Sequence, residues 1–248
     1  MLNKAVDTDL LIKNVAKQIN TVISKEEKKE RRVLTIRESE IFLEEAKGTF
    51  YYNLFALALE TGLRVGELCA LQWEDVDFRK KVLNIKHTLC YFSKNGKYVF
   101  EMHDTKTHNG KRTIPLTKKA VSVLRNQKLQ KQEIVLKGKT APKEYENLVF
   151  VTKNNQPTQQ FLLNQCMGLI IQKINKAGIE FKPFTLHTFR HTFATRAIES
   201  GMNPKTLQKI LGHGTLQMTM DLYCHVTEDT MFEEMQKFEE RCSRFKMV

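Results

Sequence analysis

Apolar residues recur at helical spacing through most of the chain, so the pattern predicts a mostly α-helical fold. Thr35 followed by Glu38 is a capping-box pattern that begins a helix, and Gly62 is a helix-stop signal. Asn203 followed by Pro204 indicates another helix start. The helices predicted for the main part of the chain cover residues 35–48, 50–60, 64–71, 118–135, 160–177, 188–200, 205–211, 216–225 and 230–245.

Between the third and fourth of these helices the pattern becomes that of β-strands. A β-rich run over residues 81–92 is followed by Asn95-Gly96, a strong hairpin signal, and by a second run at 98–100. Another turn precedes residues 112–116. The sequence therefore predicts an α+β fold, mostly α, with one small three-stranded antiparallel sheet.

The two ends of the chain differ from the middle. Residues 1–32 combine an amphipathic helix at 7–23 with a mixed charge run at 25–32, and the compact part begins at Val33. Residues 228–248 hold six acids and four bases on an otherwise basic chain, which argues against DNA contact there. The last helix also has an apolar stripe that must pack on another apolar surface, which its own domain could provide.

Charge narrows the class of partner. The 248 residues have a formal net charge of +12 and a pI near 9.4, which favours nucleic acid, with an anionic membrane as the rival partner. The sequence contains neither a membrane-spanning apolar stretch nor a signal-peptide pattern, so we expect a cytoplasmic protein with no membrane partner.

The cysteines and acidic residues suggest no cofactor. Five cysteines are scattered singly without a CxxC pair, which predicts free thiols in a reducing compartment and no zinc site. The sequence has no metal-binding carboxylate cluster and no phosphate-binding GxxxxGK[ST] loop. We therefore expect neither a metal nor another cofactor.

Four separated segments stand out as motifs: "TGLRVGEL" (61–68), "TKTHNGKRTIPL" (105–116), "LHTFRHTFATRAIESG" (186–201) and "LGHGTLQMTMDLYCHV" (211–226). They resemble, in the same order, the motifs of the tyrosine recombinases or phage-type integrases. The resemblance covers Val33 to the end, and it favours a mobile-element integrase.

This resemblance implies a catalytic set and cleavage of DNA through a 3′-phosphotyrosine link. Tyr223 would be the nucleophile and His187 its base; His213 would donate a hydrogen bond to the phosphate, and Glu67 would support the cations. The implied catalytic residues are Arg64, Lys106, His187, Arg190, His213 and Tyr223. Lys106 would be the general acid, with Lys111 and Arg112 as competitors for that role.

The chemistry explains why these residue types are needed. Two guanidinium groups can hold the non-bridging oxygens of a phosphate while negative charge develops on them. A tyrosine hydroxyl has a pKa of about 10 and needs a base and positive surroundings to attack phosphorus. His187 and His191 also have the i,i+4 spacing of zinc ligands, but Arg190 lies between them and argues against a metal. His191 is better explained as a structural residue.

The resemblance also implies an arrangement of domains and partners. Residues 1–32 would be the remnant of a core-binding domain with its linker, residues 33–226 the catalytic domain, and residues 227–248 a helix that can be exchanged between protomers. The partners would be double-stranded DNA and further copies of the chain, in a tetrameric synapse. Two alternatives stay open: an inactive DNA-binding regulator and a type IB topoisomerase-like nicking-closing enzyme.

Overall fold

The computed structural model describes residues 6–8, 10, 12–14, 32–105, 110–227, 235, 236, 238 and 239, and it excludes the side chains of 223–227. The chain divides into two units, residues 1–31 and residues 32–248. The C-terminal helix predicted at 230–245 and the N-terminal helix predicted at 7–23 lie largely outside the described residues. Within the described part, no helix is both long and apolar enough to cross a membrane.

Helices dominate the second unit, and their bounds agree with the predicted ones to within a few residues. The predicted capping box is present, because Thr35 and Glu38 each bond to the other's backbone N–H. The described helices are α1 Ile36–Ala46, α2 Tyr52–Thr61, α3 Val65–Ala70, α4 Lys118–Leu136, α5 Gln160–Lys176, α6 Leu186–Glu199, α7 Pro204–Leu211 and α8 Gln217–Thr227.

The strands form a three-stranded antiparallel sheet and a separate hairpin. The described strands are β1 Val76–Asp77, β2 Val82–Ile85, β3 His87–Lys94, β4 Lys97–Asp104 and β5 Arg112–Pro115. The sheet has the order β1-β2-β5, and β3 pairs only with β4. The hairpin turn falls at Asn95 and Gly96, both at positive φ, as its sequence predicts. The run at 81–92 is therefore two strands, of which only the first belongs to the sheet.

The core is built around α2, which explains why this helix is apolar on nearly all sides. Residues from Asn53 to Leu59 are buried on it, between α4 and α6. Aromatic rings then join α1, α2 and α6: Phe42 lies 5.5 Å from Phe55 and 5.6 Å from Phe189 between ring centroids. This packing holds α2 and α6 rigidly side by side, and each helix contributes one end to the site described below.

A second apolar cluster fixes α7 and α8 on α6. Its buried members come from all three helices: Ala194, Ala197, Ile198, Leu207, Leu211 and Leu222. The helix start predicted at Asn203 is confirmed, since its side chain accepts a hydrogen bond from the backbone N–H of Lys205 with Pro204 at the first helical position. The carboxyl end of α7 is thereby placed over the ends of α2 and α6.

Candidate active site

The site begins where α2 ends and Gly62 turns the chain towards Arg64. Gly62 lies at φ 62°, and a Cβ atom there would be 2.4 Å from the ring of Phe193, so no other residue fits. The turn places Arg64 just before α3 with its side chain 40% exposed. One turn later, Glu67 accepts hydrogen bonds of 2.9 Å from the backbone N–H and the Nη1 atom of Arg64. Glu67 therefore contacts a predicted catalytic cation directly.

Arg112, at the start of β5, completes an ion-pair cluster with the same carboxylate. Its Nη1 and Nη2 atoms donate to the two oxygens of Glu67 at 2.9 and 2.8 Å, and both side chains are buried. Its Nε atom donates to the carbonyl of Ile210 at 2.6 Å. Because these contacts engage its donors, the guanidinium of Arg112 fits a structural role better than that of a general acid. Glu67 and Arg112 are 45 positions apart, and no local pattern in the sequence predicts their pairing.

Three guanidinium groups meet at the carboxyl end of α7. Arg112 donates to the carbonyl of Ile210, Arg190 to that of Leu211 at 2.7 Å, and Arg64 to that of Gly212 at 3.2 Å. The last carbonyls of a helix have no partner within the helix and carry its negative dipole end, which attracts cations. The end of α7 therefore holds three positive charges together that would otherwise repel one another.

Arg190 is the most deeply placed of the predicted catalytic cations. It is 4% exposed and also donates from Nη1 to the carbonyl of Gly62 at 2.9 Å. Burial, followed by the charges of Arg64 and Arg112, lowers the pKa of its guanidinium to about 9, against the opposing effect of Glu67. Arg190 stays charged at neutral pH, and the end of α2 and the end of α7 both orient it.

His213 follows the left-handed Gly212 that ends α7, as predicted, and is buried beside the arginines. Burial lowers the pKa of its imidazole to about 4, with contributions from the charges of Arg190, Arg64, Arg112 and His191. The ring is therefore neutral at physiological pH. Its Nδ1 atom lies 2.9 Å from Oγ1 of Thr219, a contact that the sequence analysis missed because Thr219 stands between two methionines in an ordinary helical pattern.

His187 lies one turn before Arg190 on α6, and its side chain is exposed. Its ring contacts that of His191 edge to face, with centroids 4.5 Å apart. His191 is partly buried, and the structural role expected for it stays a prediction. Among the residues that the structure describes, no group of three His, Cys, Asp or Glu side chains could hold a metal ion.

The side chains of two predicted catalytic residues, Lys106 and Tyr223, lie outside the described part of the structure. Lys106 lies outside the described residues, in the segment between β4 and β5. Position 223 lies on α8, which packs against α6 and α7, but its side chain is not described. The nearby Lys111, a competitor for the role of general acid, forms a 2.6 Å ion pair with Asp104. The roles of Lys106 and Tyr223 stay predictions.

A basic cavity of about 510 Å³ opens next to the cluster. Four of its lining residues are lysine or arginine, and none of the described lining residues is acidic. The lining residues are Lys111, Arg112, Thr113, Lys205, Gln208, Lys209, Gly212, His213 and Gly214. Its charge suits an anion such as a phosphate, and its wall includes the imidazole of His213.

We expect Glu67→Gln to lower the free energy of unfolding at neutral pH by about 3 kcal/mol, because it removes the negative partner of two clustered cations. The melting temperature should fall by roughly 6–12 °C. Burial alone would raise the pKa of Glu67, but hydrogen bonds and charges from Arg112 and Arg64 outweigh it and lower the pKa below its ordinary value of 4.5.

The difference in free energy of unfolding between wild type and Glu67→Gln should depend on pH with a definite sign. A carboxyl whose pKa is lower in the folded than in the unfolded chain stabilises the folded state fully at pH values above its unfolded pKa. This contribution disappears as the pH falls through the folded pKa. The gap between wild type and Glu67→Gln should therefore be constant near neutral pH and shrink below about 4.5. The control is Glu44→Gln, which breaks an exposed pair with Lys47 and should shift the melting temperature by less than about 2 °C. An equal effect of both variants would contradict the structural importance of Glu67.

Comparison with known proteins identifies one family. The pattern of the phage integrase family matches residues 26–230. The transposase from transposon Tn916 of Enterococcus faecalis is 32% identical over 227 residues, which cover 88% of this chain and 54% of the transposase. A tyrosine recombinase XerC-like protein of Caldanaerobacter subterraneus is 34% identical over 235 residues, or 90% of this chain and 59% of that protein.

Solved structures support the same relationship. The Tn1549 transposon integrase, in complex with transposon right end DNA, superposes with a TM-score of 0.76 at 30% identity, over 96% of this chain and 75% of that one. The chain therefore belongs to the phage integrase family of tyrosine recombinases, and its mostly α fold with small antiparallel sheets is confirmed. It spans about half the length of the two curated relatives, 54% and 59%.

Proposed function

We propose that this chain is a site-specific DNA recombinase of a mobile element, which cleaves and rejoins double-stranded DNA through a 3′-phosphotyrosine at Tyr223. One observation carries the proposal. Arg64, Arg190 and His213 converge at the carboxyl end of α7, and α8, which bears position 223, contacts the same place through Thr219. The similarity to a transposase and to an integrase bound to DNA supports DNA as the substrate.

The arginines and His213 would bind the scissile phosphate. The guanidinium of Arg64 is partly exposed, and that of Arg190 donates to two carbonyls, those of Gly62 and Leu211. Both would have N–H groups left to donate to the non-bridging oxygens. His213, neutral at physiological pH, would donate one hydrogen bond to the same group. Donors fixed in advance around developing charge stabilise the transition state strongly.

The remaining groups would move protons. The Tyr223 oxygen attacks phosphorus, the bond from phosphorus to the 5′-oxygen of the next nucleotide breaks, and His187 accepts the phenol proton. Lys106 donates a proton to the leaving 5′-oxygen. Religation reverses these steps, with a 5′-hydroxyl as the nucleophile, so the energy of the broken bond stays in the phosphotyrosine and no nucleotide cofactor is required.

The assembly belongs to the proposal too. Residues 33–226 would form the catalytic domain, and residues 1–32 would end a core-binding domain and link it to the catalytic domain. Residues 227–248 would pack on a neighbouring protomer in a tetrameric synapse. An acidic segment on a basic protein suits a protein partner better than DNA.

Trapping a covalent adduct tests the function. The substrate is a duplex with the terminal sequence of the element that encodes the chain, nicked close to the cleavage position so that the short 5′-hydroxyl fragment diffuses away. We expect a DNA–protein adduct on a denaturing gel, with or without EDTA. Tight DNA binding without any adduct would instead indicate an inactive DNA-binding regulator. Relaxation of plasmids without recombinant products would indicate a topoisomerase-like enzyme.

A further inference from the structure

Thr219 is a polar side chain at a fully buried position of the helix that bears position 223. It is 0% exposed, and its hydroxyl lies 2.9 Å from Nδ1 of His213. A buried hydroxyl costs free energy unless it is hydrogen-bonded, so this contact satisfies Thr219. The same contact joins the His213 side chain to α8.

The direction of this hydrogen bond determines what His213 can do. A neutral imidazole has one N–H donor and one acceptor nitrogen, and the partner of one nitrogen decides where the proton resides. If Nδ1 carried the proton, Nε2 could only accept and would repel a phosphate oxygen. If the Thr219 hydroxyl donates to Nδ1, the proton resides on Nε2, and the ring can donate from Nε2.

Hydrogen bonds with Gln208 hold the backbone of His213 in place. The backbone N–H of His213 donates to the carbonyl of Gln208 at 3.2 Å, and the Gln208 side-chain amide donates to the carbonyl of His213 at 3.3 Å. These bonds anchor the loop after α7. Burial, followed by the positive charges of Arg190, Arg64 and Arg112, lowers the pKa of the ring and keeps it neutral, so the position of its single proton matters.

We propose that Thr219 is a positioning residue, which donates its hydroxyl proton to Nδ1 of His213 and thereby holds the Nε2–H form that hydrogen-bonds the scissile phosphate. This role rests on the proposed function. Position 223 follows Thr219 by four residues on α8, so the two positions share one face of the helix. The hydrogen bond that would decide which ring nitrogen of His213 carries the proton therefore depends on the packing of α8, the helix that would carry the nucleophile, against α7.

The first test measures the position of the proton directly and needs no DNA. Nitrogen chemical shifts of histidine side chains distinguish a protonated from an unprotonated ring nitrogen, and His213→Gln identifies the His213 signals among the seven histidines. In wild type at neutral pH we expect a protonated Nε2 and an unprotonated Nδ1. Thr219→Val, which has nearly the same shape but no hydroxyl, should give a mixture of the two forms or the Nδ1–H form. Thr219→Ser should restore the wild-type signals.

The matched control is Thr192→Val, at another buried threonine. Thr192 is also 0% exposed, and its hydroxyl bonds to the backbone of Leu34 and Thr188 in the core. We expect Thr192→Val to lower the melting temperature and to leave the His213 signals unchanged. If the proton of His213 moved to Nδ1 in both valine variants, the effect of Thr219→Val would reflect a general loss of stability, and the proposal would be overturned.

The second test measures adduct formation on the nicked duplex. Thr219→Val should slow the single-turnover rate about 10- to 100-fold and leave the DNA affinity unchanged. This effect is smaller than that of removing a transition-state donor entirely, because His213 itself is still present. Thr219→Ser should recover most of the rate. A Thr219→Val enzyme with wild-type rate, or a wild-type His213 that carries its proton on Nδ1, would overturn the proposal. If wild type forms no adduct, the proposed function fails, whereas the chemical shifts still decide the direction of the hydrogen bond.

Discussion

Replacing Tyr223 with phenylalanine is expected to abolish the covalent DNA adduct completely while leaving the Kd for the same duplex within about threefold. Phenylalanine keeps the size and the apolar ring, so α8 should still pack against α6 and α7. Only the oxygen that would attack phosphorus in the proposed mechanism is lost, and phenylalanine has no other group that could form the covalent bond. The measurements are denaturing gels for the adduct and fluorescence anisotropy for DNA binding.

The control for this variant is Tyr52→Phe, at the first residue of α2 and thus at the other end of that helix from Gly62. It should form the adduct at the wild-type rate. Mass spectrometry of the digested wild-type adduct should find the nucleotide on the peptide that contains Tyr223. A surviving adduct in Tyr223→Phe, or a nucleotide on another peptide, would assign the nucleophile elsewhere and refute this part of the mechanism.

Local signals in the sequence predicted most of the helices, because each of them is set by interactions within a few residues. The Thr35–Glu38 capping box and the turn at Asn95-Gly96 are both present where the sequence indicates them. The division of the strands was not predictable in the same way. Strand β2 pairs with β5, about thirty residues later, and nothing in the alternation of residues 81–92 marks the point where the chain leaves the sheet.

The same distinction applies to the site. Arg64, His187, Arg190 and His213 were identified from short motifs, and the structure brings Arg64, Arg190 and His213 to the end of α7. The bond between Glu67 and Arg112 joins residues 45 apart and has no local pattern. Family motifs therefore predict the catalytic groups, whereas the contacts that hold those groups in place become visible only when distant segments are packed together.

Arg190→Ala should slow adduct formation by about a thousandfold or more, since in the proposed mechanism it removes a guanidinium that binds the phosphate as negative charge develops on it. Stability should fall as well. Arg190 is 4% exposed, and its loss removes the donor to the carbonyl of Gly62, at a cost of roughly 1–3 kcal/mol for a buried group. The carbonyl of Leu211 loses its 2.7 Å bond and keeps a 3.5 Å bond from Nη1 of Arg64. Single-turnover kinetics and thermal unfolding measure the two effects separately.

Two further variants separate catalysis from folding. Arg190→Lys keeps the positive charge but not the planar fork, so it should retain much of the stability and still react about a hundredfold more slowly. Arg196→Ala removes an arginine from the same helix whose contacts, with Ser39 and the carbonyl of Thr35, lie away from the end of α7. It should lower the melting temperature and keep the wild-type rate. If Arg196→Ala were as slow as Arg190→Ala, the loss of rate would reflect the stability of α6, and the geometry at the end of α7 would no longer explain catalysis.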